Sequence, residues 1–150
     1  MKAFLETVQA KLAEISELKY IDEDWGQLDS YSPNPPAKFP CALIDITSMV
    51  YSNLGKDMSA NPINRQITEG TITFIIANVK LSNTSQRAPQ NQKNNAWGIW
   101  DIMEKIHQKV QGWKPTGDSG ALIRTSHKRI RRDDGIQEYQ ITYSMSKTNV

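Results

Sequence analysis

The sequence predicts an α+β domain spanning residues 1–150, with a largely antiparallel sheet of about four to five strands and two helices packed on one face, in the order α-(β)-β-β-α-β-β. Three observations carry this expectation. Lys2–Leu18 and Asn95–Gln111 place apolar residues at three- and four-residue steps, the spacing of one buried helix face. Phe39–Tyr51 and Arg65–Val79 are rich in β-branched and aromatic residues. Ala121–Ser146 reads as two long strands joined at Asp134-Gly135, a pair that tolerates the positive φ of hairpin turns.

The first helix is amphipathic through Phe4, Leu5, Val8, Leu12, Ile15 and Leu18, and a short strand can follow at Lys19–Asp22. Asp22-Glu23-Asp24 then leads past Trp25 into Ser30–Pro36, whose prolines cannot continue a helix or an inner strand, so the segment reads as a connector. In Phe39–Tyr51, Ala42, Ile44, Ile46, Ser48 and Val50 share one face, while Cys41, Leu43, Asp45, Thr47, Met49 and Tyr51 share the other. Ser52–Asn64 is polar and broken by Gly55 and Pro62, which predicts a mobile loop. Gly70–Val79 has the highest β-forming density in the chain and belongs in the middle of the sheet, paired with Phe39–Tyr51. Leu81–Asn95 is low in apolar residues and reads as a second flexible loop.

The second helix carries Ala96, Ile99, Trp100, Met103, Ile106 and Val110 on one face, and Gly112 can end it. Trp97 and Trp100 are neighbours on its surface. Core packing is the ordinary use of such a pair, and an interface or base-stacking platform is the alternative. In the closing hairpin, Tyr139, Ile141, Tyr143 and Met145 alternate with Glu138, Gln140, Thr142 and Ser144. The preceding strand becomes His127-Lys128-Arg129-Ile130-Arg131-Arg132 near the turn, with four certain positive charges that a buried sheet could not hold unpaired. The hairpin's base is therefore expected in the core and its tip in solvent or on a partner. Its register stays open: a two-residue turn sets Arg131 opposite Glu138, and a three-residue loop sets it opposite Gln137.

A chain of 150 residues can bury roughly 70% of its unfolded surface and needs no staple. The single cysteine, Cys41, excludes an intrachain disulfide and lies in an apolar run, where a buried thiol is expected. With no apolar signal core and no membrane-length apolar window, the expectation is a soluble protein made in a reducing cytoplasm. Charge is uneven: residues 1–60 carry 5 Lys/Arg against 9 Asp/Glu, and residues 61–150 carry 13 against 7. Such polarity suits a head-to-side assembly of acidic and basic surfaces, though a monomer can show it by chance.

Catalysis finds little support. His107 has no companion ligands, so no metal is expected, and phosphate-loop, dinucleotide and nucleophile-elbow motifs are absent. No cofactor is expected, and Gly117-Asp118-Ser119-Gly120 reads as a turn. The expectation is a non-enzyme. The basic tip has three readings: phosphate contacts through Lys128, Arg129, Arg131 and Arg132; contacts to an acidic patch of another subunit; or a strand end protected from aggregation by charge. Asp133, Asp134 and Glu138 adjoin it, which fits protein-protein complementarity better than a nucleic-acid field. Lys56, Arg65 and Arg87, in or beside the two polar loops, join these four as candidate partner or subunit contacts.

In its whole-chain layout the sequence resembles the phage tail terminator or tail-completion proteins. The resemblance rests on MKAFLETVQAKLAEIS, PAKFPCALIDI, GTITFIIANV, NAWGIWDIMEKIHQKV and LIRTSHKRIRRDDGIQEYQITYSM, and spans nearly the whole chain. It implies a non-enzymatic phage or prophage structural protein that forms a ring, commonly a hexamer. Such a ring caps the tail tube and docks head-completion proteins, in the virion tail after assembly in the bacterial cytoplasm. It carries no site residue over, and a small nucleic-acid-binding module using the basic tip is the alternative.

Overall fold

The richest β-forming run of the chain becomes its longest strand, Asn64–Val79, and the fold is arranged around it. The computed structural model describes residues 1–30, 35–80 and 82–149. In chain order its elements are α1 (Lys2–Ala13), β1 (Tyr20–Glu23), a 3-10 turn (Gln27–Asp29), β2 (Cys41–Asp45), β3 (Met49–Lys56), β4 (Asn64–Val79), α2 (Gln90–Val110), β5 (Ile123–Ile130) and β6 (Ile136–Thr148). Residues 31–34 of the expected connector, and Leu81 at the start of the second expected loop, lie outside the described residues.

Among the described residues six strands form one sheet in the order β1-β2-β4-β6-β5, with β3 also paired to β4. All pairings are antiparallel except β1 with β2. The α+β class is as the sequence predicts, and β4 is the central strand.

The sixth strand arises because Phe39–Tyr51 is not one strand. Asp45 pairs with Thr73 and Met49 with Gly70, so three residues, Ile46 to Ser48, stand against two, Thr71 and Ile72. That one-residue slip inverts the alternation, as a bulge does. Ala42 and Ile44 face the helices, but beyond the break Met49 takes that face and Val50 turns away into solvent. The break needs Gly70, where a Cβ would stand 2.5 Å from the Ser48 carbonyl oxygen.

Both helices cover one face of the sheet. Phe4, Val8, Leu12 and Ile15, with Ile99, Ile102, Met103, Ile106 and Val110, pack on Ile72, Phe74, Ile76, Ile141 and Tyr143. The opposite face carries a smaller core, Leu28, Ala37, Cys41, Leu43, Ile75 and Ala77, flanked by Tyr20, Phe39 and Ile136. The 3-10 turn and the segment before β2 thus cover the second face. Lys109 to Glu14 (2.7 Å) and Lys105 to Glu17 tie α2 to the end of α1.

Two segments expected as loops are partly regular. Ser52–Lys56 continues β3, so only residues 57–63 turn between β3 and β4. Helix α2 begins at Gln90, five residues before the expected start at Asn95. Pro89 sets its start, Gln90 reaches Asn94 one turn on (2.8 Å), and Lys93 donates to the Gln86 carbonyl (2.8 Å). Gly112, at φ 75°, follows its last turn.

Candidate functional site

The basic strand β5 is the outermost strand of the sheet, paired on one side only, to β6. Ile123 to Arg129 are all exposed, and Leu122 just before the strand is the buried residue. The expectation that the hairpin's base sits in the core therefore holds for β6 and fails for β5. The apolar residues of this segment, Leu122, Ile123 and Ile130, do not fall on one face of a strand, so β5 has no apolar face to bury. The Ile130–Glu138 pair is the register of the three-residue loop, although the ladder ends at that pair. Lys128 pairs with Gln140 on the face away from the helices, and Arg129 with Tyr139 on the helix face. Among the described residues, Arg124, Lys128, Arg129 and Arg131 make no ion pair.

Arg132 behaves differently from the three candidates it adjoins. Its side chain is 10% exposed and its guanidinium meets Asp134 (2.8 Å), Glu138 (2.9 Å) and Asp29 (3.0 Å). It also donates to the Leu28 carbonyl at 2.7 Å. The hairpin tip is thereby tied to the 3-10 turn across the second core and does not project. Hydrogen bonds from Arg132 hold the Asp134 carboxyl below its ordinary range, and the same partners raise the guanidinium's affinity for its proton. Arg132 is a structural clasp, whereas Lys128, Arg129 and Arg131 face solvent. Nothing in the sequence marked Asp29 or Leu28 as its partners, because about a hundred residues of chain separate them.

On the helix face, β5 is flanked by aromatic side chains. The Trp100 ring lies 4.9 Å from Tyr139 and 5.5 Å from His127, edge-on to the latter. Trp97 and Trp100 are 44% and 45% exposed, so this pair is not core. Trp113 is half-buried against the main core, with Lys11 5.4 Å over its ring. His107 donates to or accepts from the Tyr143 hydroxyl (3.1 Å), and burial pushes that phenol up to about 12.

Lys56 and Arg65 sit far from β5, across β4 and β6, near the tip of the β3–β4 hairpin. Arg65 donates to the Asn149 side chain at 3.0 Å. Arg87 is exposed in the segment before α2. The seven candidate cations are thus one edge-strand group, one clasp, one pair on the β3–β4 arm and one isolated residue. That arm is the feature the sequence reading missed. Val50, Tyr51, Leu54, Met58 and Ile63 are all exposed, and they make up half of the exposed large apolar side chains in the described residues. Leu54, Met58 and Ile63 punctuating a polar segment at no regular spacing was the available signal.

The described residues contain no group of three or more His, Cys, Asp or Glu arranged to hold a metal, and no helix long and apolar enough to cross a membrane. Burial pushes the Cys41 thiol up to about 12, so it carries no thiolate at neutral pH. Gly117 to Gly120 is a turn closed by Ser119 and Thr116, with Asp118 paired to Lys147 at 3.0 Å. The geometry defines an α+β sheet protein with an exposed basic edge and an apolar arm. Compared with known protein families and with curated proteins, the chain matches none.

Proposed function

We propose that this chain is a non-enzymatic structural subunit of a phage or prophage tail, forming a ring that caps the tail tube and docks head-completion proteins. The observation that carries this reading is the β3–β4 arm, which extends exposed Val50, Tyr51, Leu54, Met58 and Ile63 beyond the helix-covered part of the sheet. Clustered apolar side chains on an exposed ribbon are what a subunit keeps for contact with other subunits. The whole-chain resemblance to tail terminators supports the same assignment, as does the unpaired basic edge β5. On this reading the subunit assembles in the bacterial cytoplasm and resides in the virion tail. Tail tubes polymerised with the purified chain and viewed by electron microscopy should end in capped tips. A protein that stays monomeric at high concentration and caps no tube would end the proposal.

A second reading is favoured by one observation, the exposed Trp100 set edge-on against His127 of the basic strand, with exposed Trp97 one turn away on α2. A small nucleic-acid-binding module would use Lys128, Arg129 and Arg131 on phosphates and a tryptophan on a base. It expects binding that weakens steeply with salt and falls when Arg129 and Arg131 become alanine. Arg132 is left out of that test because its loss would disturb the fold. A flat titration removes this reading.

A further inference from the structure

The two outer edges of the sheet carry opposite charge. At one end, β5 offers Arg124, Lys128 and Arg129, with Arg131 just beyond, and Ile123–Ile130 contains no carboxylate. At the other end, β1 offers Asp22 and Glu23, followed by Asp24 and flanked on β2 by Asp45. Asp22, Glu23, Asp24 and Asp45 make no ion pair among the described residues. The Asp45 carboxyl is held above its ordinary value by burial and then by Asp24 and Glu23, so this edge carries uncompensated negative charge. Beside β1 a shallow groove against α1 has an apolar floor of Leu5, Leu18 and Ile21 and a rim on which Glu6, Asp22 and Glu23 outnumber Lys2 and Lys19, with Lys2 3.6 Å from Glu6.

We infer that the basic edge β5 of one copy seats on the acidic β1–α1 edge of the next, a head-to-side contact whose occupant is a second copy of this chain. This deepens the ring proposal and rests on it. Three features fit. Each edge strand is paired on one side only, leaving backbone donors and acceptors for strand addition. Within the sheet β5 runs antiparallel to β1, so copies standing side by side in one orientation present the two strands antiparallel. Signs also match on both faces: Lys128 and Asp22 lie on the face away from the helices, and Arg129 and Glu23 on the helix face. The contact uses two different surfaces, which is what a closed ring requires and a two-fold dimer does not. The Gln9 side chain, which donates to the Ile21 carbonyl at 2.9 Å, is an exposed group that an incoming strand displaces.

The test uses the full chain in native mass spectrometry and sedimentation over a concentration series, with circular dichroism to confirm folding. Wild type is expected to form an oligomer that dissociates as salt is raised. Glu6→Lys/Glu23→Lys and Lys128→Glu/Arg129→Glu should each lose the oligomer. Mixed in equal amounts they should regain it, because every junction then pairs opposite signs. If either pair fails to fold, Glu23→Gln and Arg129→Gln are expected to raise the half-assembly concentration several-fold. Variants that assemble as wild type, or a mixture that stays monomeric, overturn the contact. Wild type that is monomeric alone also overturns it, and capping of tail tubes then decides the ring reading separately. Reversed-edge variants that still assemble and cap tubes leave the ring reading standing while this interface falls.

Discussion

At the scale of single residues, Arg132 and Gly70 hold geometry that no local preference would produce. Arg132 neutralises Glu138, whose side chain is 8% exposed, and Asp134, and it joins β6 to the 3-10 turn. Removing one member of such a group leaves a buried charge without its partner, so Arg132→Ala should cost about 3–5 kcal/mol, read as a shift in the urea midpoint. A midpoint within error of wild type would mean that the clasp contributes nothing. Gly70→Ala sets a methyl 2.5 Å from the Ser48 carbonyl and 3.1 Å from the Met49 side chain. It should destabilise by roughly 1–3 kcal/mol in the same assay, as overpacking does. Gly98, within α2, has open space where its Cβ would be, so Gly98→Ala should instead stabilise by about 0.5–1 kcal/mol. Opposite signs from the same substitution separate close backbone approach from helix entropy.

At the scale of elements, the β3–β4 arm and the edge strand β5 are exposed for different reasons. Strand β5 carries charge along an open edge, which also guards it against unwanted pairing. The arm carries apolar side chains on a ribbon whose β3 residues contribute little to either core beyond Met49. Val50→Ser, Tyr51→Ser and Leu54→Ser should therefore each leave thermal stability nearly unchanged, within about 0.5 kcal/mol of wild type, while reducing oligomer formation and tube capping. A stability loss above ~1.5 kcal/mol in these variants would show the arm packed within its own subunit. Helix assignment was legible for the apolar part of α2 and for α1, which ends at Ala13 and not at the expected Leu18, since Phe4, Val8 and Leu12, or Ile99, Met103 and Ile106, each define a buried stripe. The first residues of α2, Gln90 to Asn94, were not legible. They are held by Pro89, Lys93 and neighbouring side-chain bonds, and no apolar period extends over them.

At the scale of the whole molecule, several carboxylates fasten segments that are far apart in the chain, and this sets the response to acid. Partners hold six carboxyls below their ordinary range: Lys109 and Lys11 for Glu14, Lys105 for Glu17, the Tyr20 hydroxyl for Asp22, the Ser59 hydroxyl for Asp57, Thr116 and Lys147 for Asp118, and Arg132 for Asp134. A carboxyl whose folded value is depressed adds stability above its unfolded value, near about 4, and loses that contribution as pH falls through its folded value. Asp45 is displaced upward by burial and acts in the opposite sense, but it stands alone against six. Denaturant midpoints should thus be level from about pH 5 to 7 and fall below about pH 4, and the fall should shrink in Asp134→Asn. A midpoint that is flat to pH 2 would contradict the assignment of these pairs.

The sequence by itself determined the α+β class, the central place of β4, the closing hairpin and the concentration of positive charge before its turn. Each of these is written in local periodicity, β-forming density or turn chemistry, which act over a few residues. The tertiary structure decided what the charges do. Long-range pairing placed β5 on an open edge opposite acidic β1, and a one-residue slip at Ile46–Ser48 sent Val50 outward. Folding the 3-10 turn over the second face brought Leu28 and Asp29 to Arg132. A basic run therefore became two things, an exposed edge and a buried clasp, because burial and partnership depend on strand order across the sheet and not on neighbours in the chain.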